Sequence, residues 1–432
     1  MGYCCFLNAL FGKPGEILQK LPISQEMKEN IAGQVRMLVE FVNMELEKFD
    51  AFQIVVISVF AVLICQYGYG FFIWSKENLN LDNIKTQGFR LAAKLIPQVK
   101  AHIKKELDKM EADCVKKYSD IRRDVALTTI PNNGLSQGEI LKFIKTKADD
   151  CTKFYAAGGN ISGAVYNNDN THWEFLSNAM KPVLMSNPLH INEFYYSNTM
   201  EAEIIRWTLD LYKGGPETCG IVTSGGTESI ILCMLAYREQ AKAERGVTKP
   251  NIVMSETAHC AFDKAGMYFQ IECRRVPLTK DFEADFEQFK KNIDSNTICL
   301  VSSCPEYAFG NYDPTEKIAA LAQSYGIGCH SDCCLGSYVN PFIEELGYKL
   351  KYKFDFTVPG VTSISCDPHK YAYGPKGCSI AMFRSKRLRE YQFYCNTTWN
   401  GGIYATTCIA GSRPGAVIVG TWASMRELGR KG

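Results

Sequence analysis

The sequence predicts an α/β fold, a mostly parallel sheet flanked by helices, with further segments ahead of it. Two observations predict the sheet. From about Thr152 onward, short apolar runs of strand length alternate with stretches of helical spacing. At 432 residues the chain is also long enough to bury a large core. A third observation, an uncharged run at residues 51–75, sets the N-terminal part aside as something other than globular domain.

The elements follow in chain order. Residues 1–50 form an N-terminal segment. Residues 51–75 contain no charged side chain and, at about 1.5 Å per residue, are long enough to cross a hydrocarbon core of roughly 30 Å. Tyr67, Tyr69 and Trp74 gather near one end, where aromatic rings favour the headgroup boundary. A transmembrane helix is therefore expected there. Glu40, Glu45, Glu47 and Asp50 precede the run, whereas Lys76, Lys85, Arg90 and Lys94 follow it. Basic residues favour the cytosolic side, so the larger C-terminal part is expected to face the cytosol. Residues 76–150 read as a charged helical stalk, or as N-terminal helices packed on the body, with a bend or break at Pro97. A turn signal at Pro131-Asn132-Asn133-Gly134 is followed by a helix over 136–150.

Residues 151–432 carry the alternation. Strands are expected at 220–222, 251–254, 299–302 and 328–331, and helices at 229–244, 258–267, 282–291 and 316–325. A net charge of only +2 gives no basic field of the kind nucleic acid requires. The eighteen cysteines follow no disulfide spacing, which suits reduced thiols in the cytosol. No second ligand pair accompanies Cys329, His330, Cys333 and Cys334, so a zinc site is not expected.

Four features carry chemistry. In Val222-Thr223-Ser224-Gly225-Gly226-Thr227-Glu228-Ser229 a strand runs into a helix through adjacent glycines, so backbone N–H groups and the helix N-terminus can close on an anion. Thr227 and Ser229 add hydroxyl donors. In Ser365-Cys366-Asp367-Pro368-His369-Lys370-Tyr371 a lysine beside histidine suits a Schiff-base amine, which must lose its proton easily; desolvation and a nearby cation favour that. Lys376 is a second amine close by. Asp332 ends a strand-like run, and His259 lies in a helix-cap region where a planar ring can stack. A phosphate loop, a stacking histidine, a carboxylate at a strand end and a His-Lys pair together form the set that pyridoxal 5′-phosphate (PLP) requires, with the carboxylate keeping the pyridine nitrogen protonated.

In order and wording these motifs resemble the fold-type I PLP enzymes, in the group of the amino-acid decarboxylases and the sphingosine-1-phosphate lyases. The lyases are the closer likeness, through Ser162-Gly163-Ala164-Val165-Tyr166, Asn187-Pro188-Leu189-His190, Gly401-Gly402-Ile403-Tyr404-Ala405 and Gly411-Ser412-Arg413-Pro414-Gly415. The resemblance implies a PLP-binding large domain over 151–432 and a carbon–carbon lyase that yields a long-chain aldehyde and phosphoethanolamine. It implies a catalytic set of Lys370, Lys376 and Tyr307. It also implies cofactor contacts from Gly225, Gly226, Thr227, His259, Asp332, His369 and Lys370, and substrate contacts from Tyr166 and His190. It further implies a homodimer and a single pass through the endoplasmic reticulum membrane. The same cofactor set would serve an amino-acid decarboxylase, against which the apolar run, Asn187-Pro188-Leu189-His190 and Lys376 argue. Relatives continue into a smaller C-terminal domain, expected to be missing here, which leaves a low-activity dimer partner as another reading. Cys333 stands where relatives have alanine, and Tyr307-Ala308-Phe309 where they have Phe-Pro-His.

Overall fold

The computed structural model describes residues 96–121, 129–152 and 163–432. The run at 51–75 lies outside them; among the described residues no helix is long and apolar enough to cross a membrane. The chain divides into two units, Met1–Gly134 and Leu135–Gly432. In the first, α1 (Pro97–Ile121) opens at its proline. Ile96 is not helical, so Pro97 starts this helix rather than bending one; a first turn has no use for the N–H that proline lacks.

The second unit holds the rest. Helix α2 (Gln137–Thr152) starts on a capping box, in which Ser136 Oγ accepts from Glu139 N–H while the Glu139 carboxylate accepts from Ser136 N–H. Then come α3 (Asn170–Met180), α4 (Tyr195–Leu211), β1 (Cys219–Thr223), α5 (Gly226–Arg245), β2 (Asn251–Ser255), α6 (Ala261–Phe269) and β3 (Glu272–Val276). They are followed by α7 (Phe286–Asn292), β4 (Thr297–Ser303), α8 (Thr315–Ser324), β5 (Gly328–Asp332), β6 (Ser363–Cys366) and β7 (Ser379–Phe383). The last elements are α9 (Lys386–Glu390), the short hairpin β8 (Tyr394–Asn396) and β9 (Tyr404–Thr406), and α10 (Gly415–Leu428).

The seven-stranded sheet has the order β1-β7-β6-β5-β4-β2-β3. All its pairings are parallel except those of β7, which runs against both β1 and β6. Side chains alternate across it. Ile221, Ile252, Cys299 and Val301 join one buried cluster, whereas Val222, Val253 and Leu300 join another. Helix α5 packs the first face and α4, α8 and α10 the second, so both faces are dry. Central strands covered on both sides need no polar alternation, which is why β1, β2 and β4 read as largely apolar runs, while β5 and β6 also bury His330, Ser363 and Ser365. Edge strand β3 carries Glu272, Arg274 and Arg275 and offers no such run.

Helix starts move by local capping. His259 Nδ1 accepts from Ala261 N–H, so α6 begins at Ala261 rather than 258. Asp285 accepts from Glu287 N–H, so α7 begins at Phe286, after a turn in which Phe282 has φ +58°.

Candidate active site

Because β7 is reversed, the C-terminal ends of β1, β2, β4, β5 and β6 share one edge of the sheet. Asp332 ends β5, and the loops that leave the other ends carry Gly225, His259, Tyr307 and Lys370. Ligands of open α/β sheets bind outside this edge.

The turn from β1 into α5 is held from below. Ser229 Oγ lies 2.7 Å from Thr223 Oγ1 and 2.8 Å from Ser379 Oγ, all three buried. This corrects the expectation that Ser229 offers its hydroxyl to an anion: it pins α5 to β1 and β7. Glu228 accepts from both N–H and Oγ of Ser224, at 2.7 and 2.6 Å. A Cβ on Gly226 would sit 2.9 Å from Asp367 Oδ2 and 2.9 Å from Cys334 Sγ, so only glycine lets the helix start approach so closely. A Cβ on Gly225 would meet open space. Among the described residues no acceptor pairs with the backbone N–H of Gly226 or Thr227, the first-turn donors of a twenty-residue helix.

Beneath that turn lies the loop after β6. Lys370 Nζ is 3.0 Å from Asp367 Oδ2, and the other oxygen, Oδ1, is buried without a partner. Burial pulls the Lys370 ammonium down, but the carboxylate of Asp367, helped by Cys334 and Asp332, outweighs it and holds the ammonium above the usual lysine value. The expected easily deprotonated amine is therefore corrected: the neighbour that decides is the carboxylate of Asp367. Lys376 has the opposite balance. Burial and the charge of Lys370 push it down. Its Nζ lies 4.4 Å from the centre of the Tyr166 ring and donates to His369 O at 3.2 Å. Burial raises the Tyr166 hydroxyl, against the pull of Lys370. The Tyr166 ring meets Tyr371 edge-on at 5.2 Å. His369 Nδ1–H donates to Cys378 O, leaving Nε2 3.7 Å from Asp367 Oδ2; burial lowers this imidazole. A cavity of about 460 Å³ joins Tyr166, His369, Lys370 and Lys376, with Trp173 and Tyr373 in its wall.

Asp332 Oδ1 accepts from Cys334 N–H at 3.1 Å and from Ser365 Oγ at 2.9 Å. Behind it, Ser365 and Ser363 hold the two nitrogens of His330 at 3.1 and 2.7 Å. Burial lowers His330 to about 4, so the ring is neutral. The carboxylate thus ends a buried chain of polar groups whose orientation is fixed.

The remaining expected residues lie further out. His259 is exposed at the start of α6, committed to its cap. Tyr307 is 71% exposed, and its hydroxyl faces Gly163 at the rim next to Tyr166. His190 is exposed and does not line the cavity of Lys370. Its loop is tied instead to the Gly-Ser-Arg stretch: Asn187 Oδ1 accepts from Arg413 N–H at 3.1 Å, and Asn187 Nδ2 donates to Ser412 at 3.0 Å. Arg413 is locked to Glu201 by two contacts of 2.5 and 2.9 Å. Sequence reasoning missed Asp367 as a site group. Its signal was its place three residues before Lys370, one helical turn away.

Residues 187–432 match the family described as pyridoxal-dependent decarboxylase conserved domain. Sphingosine-1-phosphate lyase 1 of Rattus norvegicus is 41% identical over 91% of this chain and 68% of its own length. That of Mus musculus is 39% identical over 97% of this chain and 73% of its own length. Among solved structures, the sphingosine-1-phosphate lyase of Burkholderia pseudomallei superposes with TM-score 0.70 at 36% identity, over 72% of each chain. A glutamate decarboxylase of Lactobacillus brevis, 22% identical with TM-score 0.60, shares the fold.

Proposed function

The chain belongs to the pyridoxal-dependent decarboxylase family, on its sphingosine-1-phosphate lyase branch, and we propose that it cleaves phosphorylated long-chain sphingoid bases in sphingolipid breakdown. The observation that carries this reading is the meeting, at one sheet edge, of Lys370 with the carboxylates of Asp332 and Asp367 under an open helix N-terminus.

PLP fits these residues. The free N–H groups of Gly226 and Thr227 suit its phosphate, Asp332 suits its ring nitrogen, and the buried unpaired oxygen of Asp367 marks a polar position that a bound group can satisfy. Bound there, PLP supplies an electron-withdrawing ring conjugated to the substrate amine. Lys370 holds the cofactor between turnovers. Asp332, fixed by Ser365 and Cys334, stays an acceptor toward the ring nitrogen. Lys376, an amine whose affinity for protons is reduced, takes the proton of the substrate 3-hydroxyl as the bond between C2 and C3 breaks. C2 gains a proton in return, so the products are a long-chain aldehyde and phosphoethanolamine. Tyr166, between Lys376 and Lys370, orients the headgroup, and Tyr307 at the rim assists proton movement.

The cavity of Lys370 does not reach His190, so a role for His190 at the substrate calls for a second copy of the chain. Apolar side chains stand exposed around its loop and the Gly-Ser-Arg stretch, among them Met185 (88%), Ile191 (65%), Ile403 (79%) and Ile409 (59%). Such a patch supports a homodimer joined there. Mixing Lys370→Ala and His190→Ala chains would then restore activity that neither has alone. The uncharged run at 51–75 and the lysines behind it support a single pass through the endoplasmic reticulum membrane, catalytic unit in the cytosol. Alkaline extraction leaving the protein in the membrane pellet checks the anchor.

The direct test is borohydride reduction of the PLP-loaded chain followed by peptide mass analysis. Label is expected on Lys370, and Lys370→Ala loses both label and at least ~10³-fold in activity toward a phosphorylated long-chain base. Carbon dioxide release from free amino acids, without aldehyde from the lipid, would sink the lyase reading.

A further inference from the structure

Helix α3 delivers two kinds of residue from its first turn. Asp169 fixes the start by accepting from Thr171 N–H at 2.9 Å and Thr171 Oγ1 at 2.6 Å. Asn170 and Trp173 then face the cavity of Lys370, while His172 points into the body and is 6% exposed.

Both ring nitrogens of His172 face oxygen. Nδ1 is 2.8 Å from Glu427 Oε2 on α10. Nε2 is 3.0 Å from Tyr373 O, with Ser424 Oγ 3.3 Å away; a carboxylate and a carbonyl both only accept, so donating to both takes a ring protonated at both nitrogens. Ser424 in turn donates to Ala372 O at 2.6 Å. Two successive carbonyls behind Lys370 are thus gripped by side chains from two helices. The backbone they belong to is unusual, because Tyr373 has φ +54°, a left-handed conformation that a bulky L-residue adopts only when its surroundings impose it. That residue is tied straight back to the lysine. Tyr373 N–H donates to Lys370 O at 3.3 Å, Gly374 N–H to Pro368 O at 3.2 Å, and Lys370 N–H to Asp367 O at 3.0 Å.

We propose that His172, braced by Glu427, is a positioning residue: by holding the Tyr373 carbonyl it fixes the left-handed turn that sets the Lys370 amine on Asp367 and toward the cavity. The inference rests on Lys370 being the cofactor lysine, but neither His172 nor Glu427 lines the cavity of Lys370. Tyr373, in the cavity wall, is held by the same contact, whereas Trp173 in that wall is held separately, its Nε1–H donating to Asn167 O at 3.1 Å.

The test uses the full PLP-loaded chain and three variants. His172→Leu fills the space without an N–H. His172→Gln keeps an amide N–H for the Tyr373 carbonyl. Glu427→Ala removes the brace alone, since the carboxylate that meets Nδ1 is gone. The readouts are the rate of borohydride labelling at Lys370, the visible absorbance of the loaded chain, kcat against KM, and thermal melting. His172→Leu is expected to slow labelling and lower kcat by about 10-fold with KM nearly unchanged, and His172→Gln to recover most of both, since small misplacements of a reacting group cost rate. Glu427→Ala is expected to lose about 3-fold, and it carries the test if His172→Leu fails to fold. Wild-type labelling rates in folded His172→Leu or in Glu427→Ala, or a His172→Gln no better than His172→Leu, overturn the proposal. A wild-type chain that never labels at Lys370 overturns the cofactor reading, and this one with it.

Discussion

The interior of the sheet and its C-terminal edge treat polar groups in opposite ways. Inside, Thr223, Ser229 and Ser379 pair with one another, and Ser363 and Ser365 occupy both nitrogens of His330. At the edge, an oxygen of Asp367 is buried and unpaired, the N–H groups of Gly226 and Thr227 have no acceptor among the described residues, and two lysines share a cavity. A folded chain leaves few such groups open, and their gathering at one edge marks a place where something other than the fold repays the desolvation. Interior polarity therefore serves stability, and edge polarity serves binding.

Variants can break that division. The largest effect is expected from Asp332→Asn, which removes an ionised acceptor. PLP affinity should fall about 10- to 100-fold, the scale of a charged hydrogen bond, while the unloaded chain melts nearly as before. A matching loss of stability without PLP would erase the contrast. Gly226→Ala should do both kinds of damage. A Cβ 2.9 Å from Asp367 and Cys334 forces the turn away, costing about 1–3 kcal/mol in urea melts and weakening PLP binding. Ser379→Ala tests the interior. It should cost about 1 kcal/mol of stability and leave PLP affinity unchanged.

The smallest effects are in pH. His330 titrates at about 4 when folded, below its ordinary 6.5, so the unfolded chain binds more protons between those values. Its contribution is complete above 6.5 and is lost as pH falls toward 4. Asp313, which accepts from Ser303 and Ala284 N–H, is pushed by burial from 3.8 up to about 7. There the folded chain binds more protons, so its contribution is complete below 3.8 and is lost as pH rises toward 7. The two slopes oppose each other between pH 4 and 6.5. His330→Gln should therefore leave a chain whose melting temperature falls as pH rises, and Asp313→Asn one whose melting temperature climbs. Parallel profiles in both variants would contradict the assignment.

How far the sequence could be read follows from the same physics. Strands β1, β2 and β4 are covered on both faces and announce themselves as largely apolar runs, β5 (Gly-Cys-His-Ser-Asp) only as a mixed one; β3 is a charged edge and gave no pattern. Helices α3 and α4 show no clean apolar stripe because His172, Ser197, Glu201 and Thr208 are among their buried positions, and α10 shows no single face because it is buried at most positions from Gly415 to Met425. Lys370, Asp332 and the Gly225-Gly226 turn were legible because each chemistry needs a residue type at a fixed place along one segment. Asp367 and His172 were not. What makes them matter is contact with residues nearby in space: Asp367 with Gly226, 141 positions earlier, and His172 with Glu427, 255 positions later.

The reversed strand β7 has one more consequence. Parallel neighbours need a long crossover between them, but β6 and β7 are antiparallel, so residues 367–378 return along the same edge without leaving it. The reactive amine is thus carried on a short bracket bolted at both ends to adjacent strands. An anchorage of that stiffness leaves little conformational search before capture, so the speed of cofactor uptake should be governed by entry into the cleft and not by rearrangement of the lysine's own support.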